Sequence, residues 1–151
     1  MQTKHRSAAS YLDSYRLKNE APMSLKELPR QDQPLRLRSG EALEILSRRL
    51  EQLTCKRYDY TIGSYNNHEA QLANYRDNDG AVVAQHIRYG DKQFSWIRPK
   101  GAKLQLFGQH LGSDGVLVIT EGEIDCMSVY QVMHEWGFHR KFCVVSIADG
   151  A

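Results

Sequence analysis

Three regimes of apolar and polar spacing follow one another along the chain. From Gly40 the segment EALEILSRRLEQL sets Leu43, Leu46, Leu50 and Leu53 at helical spacing, with Ser39 placed to cap, and this predicts a helix over about residues 40 to 55. The next forty or so residues alternate instead: YTIGSY, QLANYRD, AVVAQHIRY and FSWIR read as strands, the last ended by Pro99. Between the second and third of these, DNDG supplies Asp79-Gly80, a hairpin signal because both central residues tolerate positive φ. GVLVIT and KFCVVSI are short, nearly unbroken apolar runs that read as buried strands, and IDCMSVYQVMHEWG between them reads as a helix closed by Gly137. A strand, a helix and a strand in that order predict a parallel pair, which needs such a crossover.

Residues 1 to 38 do not share these patterns: they are polar and basic and are broken by Pro22, Pro29 and Pro34. SYLDSYRLKNE is compatible with one helix, and the rest reads as a flexible linker with turns. The expected fold class is α/β, with a small mixed α+β lobe containing a β-hairpin over residues 39 to 110 and a parallel-sheet unit over residues 111 to 151.

Composition narrows the class without naming it. With 151 residues, 41% hydrophobic and 25% charged, the chain has the balance of a globular domain rather than of a disordered or membrane segment. No apolar stretch is long enough to span a bilayer and MQTKHRSAAS has no apolar core for a secretory signal, so a cytoplasmic location is expected. Cys55, Cys126 and Cys143 lie far apart with no C-x-x-C pair, which disfavours zinc and a disulfide framework and leaves Cys126 and Cys143 as small core residues. Residues 1 to 57 carry twelve Lys or Arg against seven Asp or Glu, and residues 58 to 151 carry eight against eleven. A basic front and an acidic back suit a nucleic-acid partner near a cation-binding carboxylate cluster, although taken alone the asymmetry is better explained by ordinary fluctuation of surface charge.

The candidate chemistry lies in VLVITEGEID, where an apolar run meets Glu121, Glu123 and Asp125. Glu121 falls where a strand ends at its carboxyl edge, the place where reactive groups gather in open parallel sheets. An acid at the end of a buried strand is costly unless paired, protonated or bound to metal. Gly122 permits a sharp turn or a close approach to a ligand. Asp125 and Glu123 fall in the first helical turn, where carboxylates cap helices, and capping is the expected role for Glu123.

TEGEIDCMSV after an apolar strand resembles the glutamate motif of the Toprim domain, the catalytic α/β module of bacterial-type primases, topoisomerases and some nucleases. The order LTCKRYDYTIG, YRDNDGAVVAQHIRYGDKQF, LFGQHL, VITEGEID and VVSIADGA is more specific and covers roughly residues 43 to 151. It resembles the primase half of the bifunctional primase-helicases of T-odd short-tailed bacteriophages, a family related to the mitochondrial helicase Twinkle. The resemblance implies RNA-primer synthesis from ribonucleoside triphosphates on a single-stranded DNA template. It also implies an incomplete Toprim domain, a Rossmann-like parallel sheet. Glu121 would hold Mg2+ together with two aspartates of a later D-x-D strand, or serve as general base for the primer 3′-hydroxyl, and Asp125 would be a second acid of the site. Arg88 and Lys92 match basic positions that contact nucleotide phosphates or the template backbone, and His86 stands where lysine is usual. Phe94 and Trp96 are candidates for base stacking, though core packing is the commoner fate of aromatics at that spacing.

A D-x-D strand, a four-cysteine zinc module and a G-x-x-x-x-G-K-[ST] phosphate loop are not found in these 151 residues, and Asp149 does not replace the first. The expectation is the front part of a primase domain, with little primer synthesis of its own. The remaining primase-helicase portion or replisome proteins would be its partners, and no membrane is involved. The alternatives are a non-catalytic module binding single-stranded DNA or the replication complex, and, more weakly, a Toprim nuclease or topoisomerase.

Overall fold

The computed structural model describes residues 34–90, 92–112 and 114–148. The expected N-terminal helix and most of the flexible linker therefore lie outside the described residues. The described fold is mixed α+β, with one antiparallel sheet of five strands and one parallel sheet of two.

In the first sheet every strand pairs with its sequence neighbour: β1 (Gly40–Glu41), β2 (Tyr60–Tyr65), β3 (His68–Arg76), β4 (Val82–Tyr89) and β5 (Gln93–Ile97). The expected strands reappear within a few residues. The tightest turn joins β2 to β3, where Asn66 and Asn67 both take the left-handed backbone, at φ 50° and 63°. That is the twist a two-residue hairpin demands. At the anticipated Asp79-Gly80 turn only Gly80 is left-handed, at φ 82°. There the loop is wider because Asp77 Oδ1 accepts from the Asp79 and Ala81 amides, at 3.0 and 2.9 Å.

The helix expected over residues 40 to 55 does not form. Its stretch holds β1, a 3-10 turn (Leu46–Arg48), an isolated bridge between Ile45 and Leu50, and α1 (Gln52–Arg57) alone as α-helix. Leu46 is 77% exposed while Leu50 is 2% exposed, so the leucine repeat does not trace a buried face. Ile45 and Leu50, five apart, carry the burial instead, and Arg49 at φ 54° closes the turn between them. Gly40 cannot enter a helix because its backbone pairs with Gly63, and a side chain there would stand 2.6 Å from the Ile62 carbonyl oxygen.

The second sheet pairs β6 (Val116–Thr120) with β7 (Phe142–Ser146) in parallel, from Val116 opposite Phe142 to Thr120 opposite Ser146, with α2 (Glu123–Glu135) as crossover. The helix was legible from its apolar spacing. The burial of β6 was not: Val116, Leu117 and Ile119 are exposed, because the described sheet has only two strands and α2 covers one of its faces. Cys126 is fully buried as expected, its thiol pushed up to about 12 by burial, while Cys143 is only half-buried.

One aromatic core joins the two sheets. Phe107 packs against Tyr58, Tyr60 and Tyr75 with ring centres 5.6, 6.4 and 5.5 Å away, and its backbone exchanges hydrogen bonds with Ser146 on β7. Tyr58 reaches the same strand by donating to the Val144 carbonyl at 3.0 Å. No helix among the described residues is long and apolar enough to cross a membrane.

Candidate functional site

The β4–β5 hairpin and the β6–α2 junction face each other across a cleft of about 860 Å³. His86 and Arg88 stand two apart on β4, and so share a sheet face; Phe94 and Trp96 do the same on β5, directly opposite in register. Lys92 stands just before β5 with a left-handed backbone, φ 56°. Arg48, from the 3-10 turn that replaces the expected helix, also lines the cleft. Sequence spacing missed Arg48 because its place depends on the Ile45–Leu50 bridge.

Opposite stand Glu121 and Asp125. The structure thus brings together all five site residues singled out from the sequence: His86, Arg88, Lys92, Glu121 and Asp125. Glu121 is exposed rather than at a buried strand end, so the expected cost of burying its charge does not arise. What sets Glu121 in place is the turn at Gly122, the extended residue that begins α2 at φ −129°, ψ 161°.

Glu123 stands in the first turn of α2 as expected, and it has partners the sequence did not indicate. Its side chain turns toward the first sheet, where Tyr75 Oη donates to Oε1 at 2.7 Å and His86 Nδ1 lies 2.7 Å from the same oxygen. Burial alone would raise this carboxyl, yet the hydrogen bond and charge of His86, with Tyr75, hold it below the ordinary carboxylate value. Tyr60 feels both burial and the Glu123 charge, which push its phenol well above its usual value.

His86 is held by its neighbours as well. Its ring stacks on Trp96 at 4.4 Å and 14°, and on Phe94 at 5.4 Å and 20°. Trp96 is therefore occupied as a stacking partner, while Phe94 remains 53% exposed with the Arg88 guanidinium 5.6 Å from its ring centre. An exposed ring beside guanidinium and ammonium groups can stack a flat base and neutralise phosphate.

Magnesium commonly takes one or two carboxylates and completes its octahedron with water and phosphate oxygens. Glu121 and Asp125, both exposed on the cleft, fit that mode; no group of three or more His, Cys, Asp or Glu forms a closed cage among the described residues.

The family model described as the N-terminal α+β fold of the bacteriophage T7 DNA helicase/primase matches residues 40–97. A DNA helicase/primase of Enterobacteria phage T3 is 33% identical over 114 residues, covering 75% of this chain and 19% of that protein. The crystal structure of the primase fragment of the bacteriophage T7 primase-helicase protein matches with 28% identity and a TM-score of 0.62, over 90% of this chain and 54% of that one. A chain of the bacteriophage T7 lagging-strand DNA polymerase complex, with primase domains of two gp4 subunits bound to an RNA/DNA hybrid and dTTP, matches with 32% identity and a TM-score of 0.62. That match covers 74% of this chain and 48% of the other. The chain spans about a fifth of the length of the curated relative. Mixed α+β architecture, ordered motifs and these matches agree: the chain is similar to the primase part of the T7-like primase-helicases, and residues 40–97 match that family's N-terminal α+β fold.

Proposed function

We propose that the cleft binds nucleotide phosphates and single-stranded template within a primase module that makes RNA primers, and that β6, α2 and β7 are the first part of its Toprim domain. The observation that carries this reading is the convergence of Arg48, Arg88 and Lys92 with Glu121 and Asp125 on one cleft. The primase domains named in one solved relative are bound to an RNA/DNA hybrid and dTTP, which supports nucleic acid, nucleotide and replisome proteins as partners.

In that reading Arg88 and Lys92 draw phosphates by charge, and Phe94 offers its exposed face to a base. Glu121 and Asp125 supply carboxylate oxygens facing those phosphates across the cleft. Magnesium held there would neutralise triphosphate charge and stabilise the departing pyrophosphate. Glu121 could alternatively accept the proton of the primer hydroxyl, a role that needs hydrogen-bond reach to it.

Titrating the chain with fluorescein-labelled single-stranded DNA across a salt series tests this reading. Binding should weaken steeply with salt, and Arg88→Ala or Lys92→Ala should each flatten the log–log slope by about 0.7, the value for one phosphate contact on a single strand. Binding that ignores salt, or that survives both substitutions unchanged, would remove the cleft as the nucleic-acid face.

A further inference from the structure

Two hydrogen-bond donors meet on one oxygen at the back of the cleft. Tyr75 Oη and His86 Nδ1 each lie 2.7 Å from Glu123 Oε1. A carboxylate only accepts, so the proton in the second contact belongs to Nδ1. A neutral imidazole protonated at Nδ1 leaves Nε2 as an acceptor. Stacking on Trp96 at 14° and on Phe94 at 20° fixes the plane of the ring, so the direction of Nε2 is fixed as well. Nε2 has no hydrogen-bond partner among the described residues and is not sealed from water, and its residue lines the cleft. The other charged side chains of the β4–β5 wall, Arg88 and Lys92, are donors without acceptors.

We infer that Glu123 is a positioning residue: it locks His86 in the Nδ1–H tautomer, so that Nε2 becomes the neutral hydrogen-bond acceptor of the basic wall and receives a hydroxyl or amino donor of the bound nucleotide. Arg88 and Lys92 attract any polyphosphate; an acceptor between them and the acidic wall distinguishes ligands by the donors they carry. The ligand part of this inference rests on the nucleotide reading of the cleft, and the tautomer part does not.

The test has two readouts. Nitrogen-15 NMR of the histidine-labelled chain, at about two pH units above the ordinary imidazole value, should show His86 with a protonated Nδ1 and a bare Nε2, its signals identified by their loss in His86→Phe. Glu123→Ala should move His86 toward the Nε2–H form that free imidazole prefers, whereas Tyr75→Phe should leave the tautomer unchanged. An Nε2–H tautomer in the unsubstituted chain overturns the inference without recourse to any variant that might fold poorly.

Binding of ATP, 2′-deoxy-ATP, 3′-deoxy-ATP and inosine triphosphate then reads the acceptor. His86→Phe keeps the stack on Trp96 and should weaken ATP roughly three- to tenfold, the worth of one net hydrogen bond. Loss of discrimination against a deoxy analogue in that variant identifies a sugar hydroxyl as the donor, and loss of discrimination against inosine identifies the adenine amino group. Retention of every preference overturns the acceptor role. Glu123→Ala combined with His86→Phe should bind no more weakly than His86→Phe alone, and additive losses would show that Glu123 does not act through His86. If the unsubstituted chain binds none of the four, the nucleotide reading and the acceptor role fall together, and NMR still decides the tautomer.

Discussion

The two sheets reverse the usual relation between polarity and burial. In the five-stranded sheet the polar Asn74 and Gln85 are buried, because Gln85 donates to Asn74 Oδ1 at 2.7 Å and pairs with the Arg38 backbone through both ends of its amide. In the two-stranded sheet the apolar Val116, Leu117 and Ile119 stand more than half exposed. What decides burial is how many layers cover a strand and whether its polar groups are satisfied, not how apolar its run is. The cleft uses both situations. Its basic wall grows from the well-covered sheet and its acidic wall from the sparsely covered one.

Substitutions can sharpen or break that contrast. Phe107→Ala removes the ring at the centre of the aromatic core and should cost about 3–5 kcal/mol, whereas Ile119→Ala on exposed β6 should stay within about 0.5 kcal/mol. Urea unfolding of both variants measures the difference; equal losses would mean that β6 is as tightly packed as the core. Gly115→Ala should be intermediate. Gly115 has φ 146°, and a Cβ there would stand 2.4 Å from the Lys141 carbonyl oxygen, a backbone atom that cannot swing aside. A loss of about 1–3 kcal/mol is expected, visible as a lower melting temperature, and an unchanged melt would show that the β6–β7 entry adapts freely. The pH response should be the gentlest effect. Glu123 titrates below its unfolded value, so its contribution to stability is complete above the ordinary carboxylate pKa and disappears as pH falls through the lower folded value. Thermal melts of the chain and of Glu123→Gln on descending pH should converge below the carboxylate range; a gap that stays constant would locate the effect in packing.

Much of this was legible because it rests on local chemistry. YTIGSY occupies β2 without a residue's shift, and the strand, helix and strand around TEGEID form the parallel pair that a crossover requires. Glu121, Asp125, Arg88, Lys92 and His86 were named from motif and resemblance, and all line one cleft. The leucine-rich stretch misled because its period was matched without the competing claim of Gly40, whose backbone belongs to a strand edge beside Gly63. The first-turn position of Glu123 is local information, whereas its partners Tyr75 and His86 lie 48 and 37 residues away and no local pattern reports them. Long-range polar contacts of this kind become visible only once the sheets are assembled.

The order of strands also bears on how the molecule assembles in time. Each pairing in the first sheet joins consecutive strands, and β2–β3 closes through two asparagines, the sort of contact that forms in about 1–10 μs. The β6–β7 pair must first bring Val116 to Phe142 and dock a helix between them, which is slower because loop entropy is spent before any ladder forms. Pulse-labelled amide exchange should therefore protect β3 and β4 before β6 and β7, with simultaneous protection contradicting the sequence of events. On this view a newly made chain carries its basic wall before it has a carboxylate to place opposite.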